Sequence, residues 1–252
     1  MATRVVVDAG HGGWDNGAMF NGRKEKDDNL NLALAVGDIL KNNGIDVVFT
    51  RTDDVYQSPN EKARIANRAN ADFFVSLHRN SSPEPNQYTG VQTLLYNDGD
   101  IKEVTADNIN QQLEQVGFKN LGRGIRKDLA VLRGTRMPAV LVETGFINNE
   151  ADNKLFDQEF DNIAQGIAQG ILETVEQKET PTYRIQIGLF RNYDNAQRLA
   201  NRVSEMGYTV EIREINGYYA VLVGRFKELD RAERIQNVLR EDGFETLLIA
   251  LN

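Results

Sequence analysis

At 252 residues, 40% hydrophobic and 26% charged, the chain has the length for one large domain or two smaller ones with real cores, and no apolar run approaches the roughly 18 residues that cross a bilayer. Cysteine is absent, which excludes disulfides, thiolate metal sites and a cysteine nucleophile. The net charge of −8 argues against a nucleic-acid backbone as the main partner, and all of that excess lies before Thr182, since ten basic and ten acidic residues balance from there onward.

Met1-Ala2-Thr3-Arg4 runs straight into the first apolar segment with no h-region of a secretory signal, so the expectation is a product made in the cytoplasm. Arg4 to Val7 reads as a buried strand, followed by Asp8-Ala9-Gly10-His11-Gly12-Gly13, whose glycines free the backbone to turn. An imidazole is thereby presented at a strand's C-terminal end, where open α/β sheets bind ligands. Beyond Asp27-Asp28, either of which suits a helix cap, the spacing of Leu30, Ala33, Leu34, Ile39 and Leu40 predicts a helix over 28–42 ended by Asn43-Gly44. Asp46 to Thr50 reads as a second strand and Glu61 to Ala69 as a short helix.

Asp72 to Leu77 is a third strand, closed by the only other histidine, His78. The loop Arg79 to Thr89 holds Pro83 and Pro85. Then come a strand at Val91 to Tyr96, a helix at Lys102 to Val116, strands at Leu129 to Arg133 and Pro138 to Glu143, and an amphipathic helix at Phe160 to Val175. Strands alternating with helices predict an α/β sandwich over residues 1–175. Residues 176–182, polar and containing Pro181, read as a linker.

Over residues 183–252 the chain repeats itself. Tyr183, Gly188, Phe190, Asp194, Ala196, Arg198, Glu205 and Gly207 return as Tyr219, Gly224, Phe226, Asp230, Ala232, Arg234, Glu241 and Gly243, each 36 positions later. Each unit reads strand, helix, strand, which predicts a small α+β, ferredoxin-like βαββαβ domain with a four-stranded sheet backed by two helices.

A hydrolytic zinc takes three protein ligands and keeps a fourth position for water. Without cysteine, the way to fill such a site is His11, His78 and one carboxylate. Asp8, Asp15, Glu25, Asp27 and Asp28 all compete, and chemistry alone does not choose among them. Asp27 and Asp28 suit caps, and Asp8 suits a hydrogen bond to a histidine N–H. Glu143 ends so apolar a strand that solvation alone explains it poorly; beside a metal it suits a general base. A serine hydrolase is the weaker reading, because Ser76, Ser81 and Ser82 lie near His78 but no G-x-S-x-G elbow occurs.

Four blocks in order, namely Asp8 to Gly13, Lys24-Glu25-Lys26 with Asn29-Leu30, Ser76 to Asn80, and Val140 to Asn148, resemble the zinc-dependent N-acetylmuramoyl-L-alanine amidase family. The resemblance implies a six-stranded mixed sheet flanked by helices, Zn²⁺ held by His11, Glu25 and His78, and Glu143 as the catalytic glutamate. Arg133 is the candidate for positioning substrate. Some members carry an inserted helix that plugs the metal site; the brief Arg79–Thr89 loop predicts none here. Residues 183–250 resemble the sporulation-related repeat (SPOR) domain, which implies binding to glycan strands stripped of their peptides, with Gln186, Phe190 and Tyr219 as candidate contacts. Expected partners are therefore peptidoglycan and its denuded glycan, with no nucleic acid and no membrane insertion. The implied reaction is cleavage of the amide between N-acetylmuramic acid and L-alanine, reached after mother-cell or phage lysis or holin-type release. A zinc peptidase on the stem peptide and a non-catalytic wall-binding protein are the competing readings.

Overall fold

The computed structural model describes residues 3–99, 101–179 and 182–251. Two compact units divide between Glu176 and Gln177. The first contains β1 (Arg4–Ala9), β2 (Met19–Phe20), β3 (Arg23–Lys24), α1 (Glu25–Asn42), β4 (Asp46–Phe49), α2 (Pro59–Arg68), β5 (Phe73–Asn80), β6 (Val91–Leu95), α3 (Ile101–Val116), β7 (Asn120–Ile125), α4 (Ala130–Gly134), β8 (Ala139–Phe146), α5 (Glu150–Gln158) and most of α6 (Phe160–Glu179). Its six-stranded sheet runs β4-β1-β5-β8-β6-β7. The first four strands are mutually parallel, β6 opposes β8, and β7 follows β6.

Side-chain alternation sends Val5, Val7, Val75, Val140 and Val142 to one face, where α1, α3 and α6 supply Leu32, Val36, Ile109, Leu113, Ile163 and Ile167. The other face carries Val6, Phe74 and Leu141 and packs against Ala66 of α2 and Val131 and Leu132 of α4, with Ala71, Leu129 and Met137 at their margins. Two short helices cannot cover the whole face. Its end beyond Val6, Phe74 and Leu141 is where the same alternation places Asp8, Ser76, His78 and Glu143.

Three expectations need correction. Helix α1 begins at Glu25, so Asp27 and Asp28 lie inside its first turn; Lys24 stands at the cap without a side-chain bond. Leu129–Arg133 is no strand: Ala130–Gly134 is α4, packed so closely on α2 that a Cβ on Gly134 would sit 3.1 Å from that of Ala63. The sixth strand is instead β7, and α5 is an additional helix that the periodicity does not reveal. The expected linker is partly helical, since α6 continues through Glu179; residues 180 and 181 lie outside the described residues.

The second unit contains β9 (Thr182–Phe190), α7 (Tyr193–Glu205), β10 (Val210–Ile215), β11 (Tyr218–Phe226), α8 (Leu229–Glu241) and β12 (Leu247–Leu251). Its antiparallel sheet runs β10-β11-β9-β12. Ile185, Ile187, Val221 and Val223 meet Ala196, Ala200, Val203 and Leu239 from the helices. Asn216 and Gly217, both at positive φ, turn β10 into β11 as a two-residue hairpin requires. Among the described residues no helix is long and apolar enough to cross a membrane.

Candidate metal centre

The site is assembled at the C-terminal ends of β1, β5 and β8, with one contribution from the first turn of α1. His11 follows β1 at φ 59°, a left-handed conformation that costs a residue bearing a Cβ about 1–2 kcal/mol. A closed turn holds it there: Gly12 N donates to Asp15 O (3.0 Å) and Asp15 N to Gly12 O (3.1 Å). Asp15 then accepts from His11 Nδ1 at 2.9 Å, fixing the ring and leaving Nε2 3.1 Å from Glu25 Oε2. The other oxygen of Glu25 lies 2.9 Å from His78 Nδ1. Ala18 N and Asn29 Nδ2 donate to the same carboxylate at 2.8 and 3.2 Å, so it is anchored before any ligand arrives. Gly10 is required by packing, because a Cβ there would overlap the His78 ring.

The metal-ligating atoms of His11, Glu25 and His78 all lie within 4.8 Å of one another, the one such group among the described residues. A tetrahedral zinc with bonds of about 2.0–2.1 Å sets its ligand atoms roughly 3.4 Å apart, and the two imidazole nitrogens stand 3.1 and 2.9 Å from the oxygens of Glu25. Two imidazoles and a carboxylate are also the donor set that leaves a hydrolytic zinc one open position. The residues present therefore fit a catalytic zinc.

Burial opposes charge on both His11 and Glu25. Hydrogen bonds and charge from Glu25, then from Asp15, outweigh it and hold the His11 imidazole up at about 9, while the two imidazoles hold the Glu25 carboxyl well below its ordinary range. Glu143 differs. It is the register partner of His78 on the neighbouring parallel strand, and its Oε2 is buried without a hydrogen-bond partner. Burial pushes its carboxyl up to about 7, with His78, His11 and Arg126 pulling down and Glu25 adding to the rise. A carboxyl raised by burial, with one oxygen free of hydrogen bonds, is equipped to accept and return a proton.

Asp8 does not serve a histidine. Fully buried, it accepts from Thr50 Oγ1 (2.6 Å), Lys62 Nζ (2.7 Å) and Ser76 Oγ (2.6 Å). Ser76 is thereby committed to Asp8, Ser82 Oγ donates to Glu84 O (2.7 Å), and His78 is committed to Glu25, so neither serine is paired with the imidazole. Lys62 also donates to Ala9 O, and Arg51 donates to Ala9 O (3.1 Å), Gly10 O (3.0 Å) and Lys26 O (2.9 Å). Arg51 thus ties the backbone before His11 to the backbone after Glu25. Neither Arg51 nor Lys62 had a local signature in sequence; Asn29 had one, being a single helical turn beyond Glu25.

Arg133 is exposed on α4 and donates to the carbonyls of Lys127 and Asp128, away from the cluster's hydrogen bonds. Arg126, paired with Asp128, is the arginine whose charge reaches Glu143. The Arg79–Thr89 segment leaves β5 as a helix-free loop, clamped by Asn148 to Ser82 and by Asn149 to Tyr88. In the second unit Phe190 and Tyr219 are register partners packed on the helix-side core, whereas Gln186 pairs with Leu222 on the opposite face. The three candidate glycan contacts do not share one surface.

The family described as N-acetylmuramoyl-L-alanine amidase matches residues 5–173, and the SPOR domain matches residues 179–250. A sporulation-specific N-acetylmuramoyl-L-alanine amidase of Bacillus subtilis (strain 168) is 34% identical over 214 residues, covering 81% of this chain and 82% of that one. The endolysin of Bacillus phage SPP1 is 40% identical over 163 residues, 62% of this chain and 59% of its own. The crystal structure of an N-acetylmuramoyl-L-alanine amidase from Clostridium difficile 630 superposes with a TM-score of 0.67 at 34% identity, over 70% of this chain and 98% of that one.

Proposed function

The chain belongs to the N-acetylmuramoyl-L-alanine amidase family, and on that premise we propose that residues 1–175 form a zinc-dependent catalytic domain and residues 183–252 a wall-binding module. His11, Glu25 and His78 hold the ion and Glu143 is the general base. The observation that carries this reading is the convergence of three donors within 4.8 Å beside Glu143, the strand-register partner of one of them.

When bound, zinc supplies Lewis acidity to the scissile carbonyl and to the attacking water. The chain's own residues do the rest. Asp15 fixes the tautomer of His11, and Glu25 brings the negative charge that offsets the cation. Glu143, held near neutrality by burial, takes the water's proton at its free Oε2 and returns it to the leaving nitrogen of L-alanine. Substrate-positioning charge beside Glu143 comes from Arg126. In the SPOR domain the helix-free face bearing Gln186 is the surface offered to glycan. The proposed route to the wall is release on lysis or through a holin-type pore, supported by the sporulation amidase and the phage endolysin among the relatives.

Zinc analysis of the purified protein combined with mass spectrometry of digested walls tests this reading. About one zinc per chain and free peptides beginning with L-alanine are expected. Glu143→Gln keeps the zinc and loses about 10²–10⁴ of the rate. Products cut within the stem peptide, with N-acetylmuramic acid still amidated, overturn the proposal in favour of a zinc peptidase.

A further inference from the structure

Trp14 is the only tryptophan in the chain, and 75% of it is exposed. It stands three residues after His11 and one before Asp15, at the tip of the closed turn that orients the His11 ring. Its ring stacks on that of Tyr56 with centroids 4.2 Å apart and planes 32° from parallel. The mounting is rigid: Gly13 N donates to Asp54 Oδ1 (2.7 Å), and Lys26 Nζ donates to both Gly13 O (2.7 Å) and Asp54 Oδ2 (2.6 Å). A Cβ on Gly13 would strike the Tyr56 backbone. An aromatic face this exposed, held this firmly and placed this close to a catalytic centre is arranged to receive a ligand.

We propose that Trp14, backed by Tyr56, is a stacking platform for a sugar ring of the glycan strand that carries the scissile peptide. The inference rests on the amidase reading, because in that reaction the sugar lies only a few bonds from the carbonyl that is cut. A pyranose offers a face of C–H groups to an aromatic ring and a rim of hydroxyls to polar side chains. Both are provided. Behind the platform Tyr56 joins Gln57, Glu61, Arg64 and Arg68 in lining a cavity of about 320 Å³, where amide, carboxylate and guanidinium groups suit hydroxyl and acetamido groups. The glycan is therefore assigned to the β1–β4 side of the metal centre, leaving the β8 side, with Arg126, for the peptide.

The lone indole makes the test direct. Full-length protein is titrated with a peptide-free oligosaccharide of alternating N-acetylglucosamine and N-acetylmuramic acid, and the emission of Trp14 is followed; the second unit contains no tryptophan, so sugar bound there is silent. A saturable change with the oligosaccharide, and none with the free stem peptide, is expected; this readout is binding alone and so stands apart from the product analysis that tests the amidase reading. In kinetics on glycan-linked muropeptides, Trp14→Ala raises KM about tenfold, the equivalent of one lost ring contact, with kcat kept within about twofold, and Trp14→Phe restores most of the loss. Emission indifferent to glycan, moved equally by peptide, or moved by protein concentration alone overturns the proposal, as does an unchanged KM in Trp14→Ala.

Discussion

The two units treat buried charge in opposite ways. Around the metal centre the first unit buries Asp8, Glu25, Arg51, Lys62 and Arg79, and nearly every polar atom of that set meets a backbone carbonyl, an amide or an opposite charge. In the second unit the buried polar side chains among the described residues are Arg184 and Gln236, and the partner of Arg184, Glu211, keeps 40% of its side chain exposed. Taking a charge out of water is expensive, and an ion pair recovers that expense only with good geometry. The first unit bears it where a backbone must be held still for catalysis; the second, built on a repeated apolar core, has no such need.

Paired substitutions sharpen this contrast. Removing Lys62 (4% exposed) as Lys62→Met leaves Asp8 (0%) with two hydroxyl donors but without its paired cation, and should cost about 3–5 kcal/mol in the unfolding transition of the first unit. Arg184→Met leaves a partner that water can reach, so about 1 kcal/mol or less is expected in the second. Denaturant unfolding, with the two transitions followed separately, measures both; equal losses would erase the distinction.

A pH series separates the units next. In metal-free protein the raised His11 contributes stability that is complete below about 6.5 and is lost as pH rises through about 9. Glu143, an acid raised to about 7, acts in the same direction, its contribution fading between about 4.5 and 7. The first transition should therefore weaken from pH 6.5 to 9 while the second, which contains no histidine, does not follow. Over the same range zinc affinity should rise by about tenfold per pH unit, as one proton is displaced from His11; chelator competition at three pH values reads that slope.

The smallest effect tests for equality. Ser58 caps α2 in a reciprocal box with Glu61, and Asn192 caps α7 by accepting from Asp194 N at 2.7 Å. Alanine at either position should cost about 1 kcal/mol, because a cap answers to its own helix and not to the charge around it. A loss at Ser58 several times that at Asn192 would show that the Asp8 network reaches α2 as a whole.

The legibility of the sequence follows the same division. The second unit could be read from its 36-residue repeat because each strand and helix carries its own apolar pattern. In the first unit the strand that leads to His11 and the strands that carry His78 and Glu143 are plain, being continuous apolar runs. Leu129–Arg133 misled, since four apolar residues in five satisfy a short helix as well as a strand. β7 escaped because Asn120-Leu-Gly-Arg-Gly-Ile is an edge strand whose two glycines give no alternation. Among the acids around His11, burial and partners decide: Glu25 lies between two imidazoles, Asp15 behind one, Asp28 pairs with Arg23 and Arg79, and Asp8 with Lys62. Those partners are 4 to 54 positions away, and the ones at 51 to 54 lie beyond what any local window sees.

The pairing of His78 with Glu143 has one more implication. Consecutive residues of a strand point to opposite sides, so sliding β8 by a single position would turn the glutamate toward α1 and α6 and bring a valine or threonine to the centre. Such a chain would remain compact and keep its three ligands, yet be inert. Activity is thus an alignment gauge for the sheet: it reports that His78 and Glu143 stand opposite each other.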